Sequence, residues 1–163
     1  MDREQFWQLI EKSQNKRGDC DAQAAKLTKL LVKLDADEII DFDRIFAELS
    51  AQSYRHDLWA VAYIVNGGCS DDGFEYFRWW LIAQGRAYFD AAMLSPESAA
   101  DKVEPGEEVE CESVKYAIAE AYEEKTGQSL PDLTVQYPAE PLGQSWSEED
   151  LEKLYPALCQ KFG

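Results

Sequence analysis

The stretch Ser70–Ala83, SDDGFEYFRWWLIA, limits the fold more than any other part of the chain. At about 100° per residue, Phe74, Tyr76, Phe77, Trp79, Trp80 and Leu81 spread over a wide arc of a helix and leave one narrow polar strip. A helix that is apolar almost all round is stable only when other elements cover it on most sides. The expected architecture is therefore an all-α bundle around this central aromatic helix. The rest of the chain can supply the cover: 45% of its 163 residues are hydrophobic and five are Trp, enough for one full core over residues 1–163 as a single domain. No apolar run approaches the roughly 18 residues of a spanning helix, so no membrane segment is expected. The opening MDREQFWQLIEK has no apolar h-region, which argues against a signal peptide.

Helical signals recur on both sides of this stretch and predict about seven helices. Asp2 with Gln5, Asp35 with Glu38, and Ser147 with Asp150 have capping-box spacing, each just before a run of apolar residues at 3-4 spacing. The first helix should stop near Lys16–Asp19, the second run from about Asp19 to Leu34, and the third reach about Ser53. Leu58–Val65 carries no charge and reads as a buried helix, with Trp59 and Tyr63 packing on the central one. Arg86–Leu94 continues helically, and Pro96 opens a short helix where its missing donor costs nothing. An acidic loop over 102–110 leads to a helix from Val114 that Gly127 ends. Residues 128–146, with Pro131, Pro138 and Pro141, form a long irregular segment before the C-terminal helix, with an extended piece expected at Leu133–Tyr137. Irregular segments of that length usually serve as functional or wrapping loops. Pro156 should kink or end the last helix.

Charge and residue chemistry narrow the function. The chain has 32 acids against 16 bases, and residues 95–163 alone hold 16 acids against five bases. Direct nucleic-acid binding needs the opposite sign, a Lys/Arg field. The excess serves solubility, or attracts a basic protein partner or mimics a nucleic-acid backbone. Cys20, Cys69, Cys111 and Cys159 lie more than 40 residues apart, without zinc-knuckle or redox spacing, and read as reduced thiols of a cytoplasmic protein. With one histidine, His56, read as a surface or helix-start residue, no metal site is expected, and no motif for a cofactor is present.

One polar constellation sits within the most apolar region. Asp71, Glu75, Arg78 and Ile82 fall within about 60° of one another on the helical wheel, just after the Gly67-Gly68 turn. Structurally, Ser70, Asp71 and Asp72 would cap the helix, and Glu75 and Arg78 would pair at i, i+3. Functionally, Gly67, Gly68, Ser70, Asp71, Asp72, Glu75 and Arg78 would bind a ligand, with Asp71, Asp72 and Arg78 the catalytic candidates. EF-hand, P-loop and nucleophile-elbow patterns are all missing, so no enzyme class follows.

FWQLIEKS near the start, the GGCSDDGF…FR.WLI…G core and the WSEEDLEKLYPAL ending together resemble an uncharacterised bacterial family of similar length, a domain of unknown function with some members joined to WGR-type domains. The resemblance puts its signature on Gly67, Gly68, Cys69, Ser70, Asp71, Asp72, Phe74, Phe77, Arg78, Trp80, Leu81, Ile82 and Gly85. It implies a cytoplasmic, mostly helical single domain and supplies no reaction. Two functions remain open: an acidic module that binds a basic protein, and an enzyme or small-ligand site at the GGCSDD turn and Arg78.

Overall fold

The computed structural model describes residues 1–163 and contains nine α-helices and two 3-10 turns. In chain order these are α1 (Arg3–Ser13), α2 (Cys20–Val32), α3 (Ala36–Gln52), α4 (His56–Asn66), α5 (Asp71–Ala83), α6 (Arg86–Leu94), α7 (Ser113–Thr126), α8 (Leu151–Leu154) and α9 (Pro156–Phe162). The 3-10 turns are Pro96–Ala100 and Glu148–Asp150. The fold is all-α, as the patterning required.

α5 lies at the centre, touching α1, α3, α4, α6 and α7. Phe74, Phe77, Leu81 and Ile82 are wholly buried, and Trp59 of α4 stacks on Phe74 with ring centroids 5.0 Å apart. Tyr63, expected on the same surface, instead meets Trp146 edge-on, because the C-terminal segment returns across α4. Buried side chains from Phe6 in α1 to Leu158 in α9 form one continuous core.

The caps follow the sequence signals. Asp2 accepts from the Gln5 amide at 2.8 Å, and Gln5 answers to the Asp2 amide at 3.0 Å. Glu38 and Asp150 reach back to the amides of Asp35 and Ser147 at 3.4 and 3.0 Å. At the end of the chain Pro156 divides the expected last helix into α8 and α9, taking the first position of α9.

The expectation of four reduced thiols fails. Cys20 and Cys111 are joined by a disulfide, with Cα atoms 5.7 Å apart, so only Cys69 and Cys159 are free thiols. Long-range packing makes the pairing: α2 runs alongside α7, which brings the first residue of α2 next to the chain leading into α7. Leu133–Tyr137, where an extended piece is expected, makes no strand pairing. The segment's backbone pairing occurs instead at Leu142, whose N–H donates to Tyr54 and whose carbonyl accepts from His56, both at 2.9 Å. The irregular segment is thus a strap that leaves α7, passes α3 and is pinned at the α3–α4 junction.

Candidate functional site

Gly67 ends α4 in the left-handed region (φ +67°) and Gly68 follows at φ +117°, a turn that side chains with a Cβ resist. The turn delivers Ser70 as the N-cap of α5, its hydroxyl accepting from the Gly73 amide at 3.1 Å. Ser70, Asp71 and Asp72 are exposed at this end. Cys69 is used locally: its carbonyl accepts the Trp59 indole N–H at 2.9 Å, and its thiol faces the Ser70 carbonyl at 3.6 Å. Burial pushes the Cys69 thiol up to about 11, the wrong direction for a nucleophile.

One and two turns further along α5 the polar strip divides. Arg78, expected to pair with Glu75, is turned inward and is only 2% exposed. No carboxylate lies within ion-pair distance of it. Its Nη1 donates to the Ser50 carbonyl at 2.6 Å and to the Tyr137 hydroxyl, and its Nε donates to the Phe74 carbonyl at 3.3 Å. Ser50 lies in the last turn of α3, where carbonyls lack helical partners and the dipole is negative. Tyr54 and Phe74 flank the guanidinium carbon at 4.6 and 4.7 Å from their ring centroids. A helix end and aromatic faces therefore hold this charge where a carboxylate would be expected.

The guanidinium is not fully used. Nη2 donates to no group of the protein. Every solvent-excluded side-chain N or O has a partner, so Nη2 reaches solvent, and Arg78 lines an open cleft of about 390 Å³. Tyr54, Asp71, Glu75, Tyr137, Pro138 and Ala139 line the rest. Asp71 accepts the Tyr54 hydroxyl through Oδ1 at 3.1 Å. Glu75, half-buried one turn before Arg78, pairs with nothing. Burial raises its carboxyl above the usual range, against the pull of Arg78, and Asp71 and Asp72 add to the rise. Tyr137 is nearly half exposed, and its hydroxyl donates to the Ser50 carbonyl and accepts from Arg78. Burial raises both tyrosines above their ordinary range, Tyr54 with help from Asp71.

Residues 1–124 match the model of a family described as "Protein of unknown function (DUF4240)". The chain belongs to that family. No curated protein and no solved structure matches it. The DUF4240 stretch contains Ser50, Tyr54, Asp71, Glu75 and Arg78, whereas Tyr137, which closes the cleft from the strap, follows it.

Of the residues picked out in the sequence, the cleft brings together Asp71, Glu75 and Arg78. Gly67, Gly68, Ser70 and Asp72 stay at the turn and cap and do not line it, so Asp71 and Asp72 do not converge as an acid–base pair. His56 is the first residue of α4. Nowhere do three His, Cys, Asp or Glu side chains gather in a metal-binding arrangement. Sequence reasoning missed Ser50, Tyr54 and Tyr137. The length of the irregular segment was the only signal that could have pointed to Tyr137.

Proposed function

We propose that this DUF4240 protein is a small-ligand-binding protein whose cleft takes a carboxylate on Arg78. The observation that carries the reading is a buried guanidinium in the wall of a cleft, with no counter-carboxylate and with no protein partner for Nη2. Burying a charge away from its counter-ion costs several kcal/mol, and an arriving carboxylate supplies the missing partner through a charge-assisted bond. Two carboxylates share the cleft walls, so a doubly charged phosphate meets more repulsion there than a singly charged carboxylate.

The test follows the side-chain ¹⁵N resonances of Arg78 during titration with simple monocarboxylates and, separately, inorganic phosphate. Saturable shifts of the Arg78 Nη signals with carboxylates and not with phosphate are expected. Arg78 signals that ignore every carboxylate would overturn the reading.

A second reading rests on a different surface. Glu104, Glu107, Glu108 and Glu110 are all exposed on the loop before α7, within the more acidic part of the chain. That field suits a basic protein partner, which makes the domain an interaction module. A cytoplasmic location belongs to both readings, and it requires that the Cys20–Cys111 bridge form only on oxidation. Fusion of relatives to WGR-type domains would fit the interaction reading.

A further inference from the structure

We infer that the ligand of the Arg78 cleft is an α-amino acid, its carboxylate on Nη2 of Arg78 and its ammonium held by Glu75 and Asp71. The inference rests on the carboxylate-binding reading above and adds the second charge of the ligand. Glu75 makes no hydrogen bond and no ion pair, and Asp71 uses only Oδ1, on Tyr54, leaving Oδ2 free. Both line the same cleft as Arg78, whose Nη2 has no protein partner. The protein thus presents unused acceptors of negative charge and an unused donor of positive charge to one shared volume, without pairing them to each other.

A lone carboxylate is drawn to Arg78 but repelled by Glu75 and Asp71, and a lone amine meets the reverse. A zwitterion satisfies both. Its charges must be close together, because Glu75 and Arg78 are i, i+3 on α5, a spacing that puts Cβ atoms about 5–6 Å apart. In an α-amino acid the carboxylate and ammonium sit on one carbon. The volume of about 390 Å³ lies within the roughly 300–1,000 Å³ range of small-molecule sites. Tyr54, Tyr137, Pro138 and Ala139 line the rest of the cleft, where the ligand's own side chain would lie.

The experiment is isothermal titration of the full chain with the common L-amino acids. The best binder is then compared with its deaminated acid and its decarboxylated amine. The amino acid is expected to bind at least about tenfold more tightly than either analogue, a gap of ~1.4 kcal/mol. Glu75→Gln, an isosteric change at a half-buried position, should remove the advantage over the deaminated acid. If that acid binds wild type as tightly as the amino acid, the ammonium site is overturned and the carboxylate reading stands. If neither amino acids nor acids bind, both are overturned.

Discussion

Arg78 shows how one residue can be held at the edge of cost and benefit. An unpaired buried charge costs several kcal/mol. Against this stand hydrogen bonds from a charged donor, about 1.5–3 kcal/mol each, and cation–π contacts with Tyr54 and Phe74, up to about 2 kcal/mol when desolvated. These offset the penalty without using Nη2, which is what leaves it available. Cys69 shows the opposite case, a motif residue with its chemistry suppressed. With the thiol at about 11, only about one molecule in 1,000 is thiolate at pH 8. Alkylation of Cys69 by iodoacetamide, followed by mass spectrometry, should therefore be slow at pH 8 and climb about tenfold per unit towards pH 10. A rate that levels off below pH 9 would mean that burial does not control this thiol.

At the scale of elements, α5 is positioned by local and distant forces together. The Gly67-Gly68 turn and the Ser70 cap begin it, and aromatic packing from α3 and α4 fixes its rotation. The α2–α7 pair depends far more on long-range links. Thr28 reaches the Ala117 carbonyl at 3.4 Å, Ser113 donates to Asp21 at 2.5 Å, and the disulfide joins residues 91 apart in sequence. Asp43, buried in α3, is bound by Lys115 of α7. Cross-linking over such a separation restricts the unfolded chain, an effect typically worth about 2–4 kcal/mol. Reduction should lower the unfolding free energy by about that amount, read as a fall in the urea midpoint, and Cys20→Ala with Cys111→Ala should reproduce it. Thiol titration of the unreduced, denatured protein should find only Cys69 and Cys159 reactive. A midpoint indifferent to reductant would show that the bridge adds no stability.

For the whole molecule, the uneven charge is the dominant property. No helix is long and apolar enough to cross a membrane. Sixteen acids against five bases in residues 95–163, with an exposed glutamate loop, give a field that acts over the Debye length, about 10 Å at 0.1 M salt and 3 Å at 1 M. A basic partner held by that field should bind at low salt and be released as salt rises. A variant with Glu104, Glu107, Glu108 and Glu110 replaced by Gln should retain less of it at low salt. Retention unchanged at 1 M, or by the Gln variant, would sink the interaction reading.

The sequence by itself determined the elements. Apolar residues at 3-4 spacing, capping boxes and glycine stops act within a few residues of one another, so the helices and their ends could be read from neighbours alone. The all-round apolarity of Ser70–Ala83 even identified the helix that had to lie at the centre. Asp71, Glu75 and Arg78 were legible as one strip because helical periodicity is local. Only the tertiary structure decided which way Arg78 turns, since its partners Ser50 and Tyr137 lie 28 and 59 residues away. The same holds for the Cys20–Cys111 bridge and for the strap that brings Tyr137 over the cleft. No periodicity encodes these contacts. They exist because packing the central helix brings together distant side chains whose burial, charge and hydrogen bonding then have to be satisfied at once.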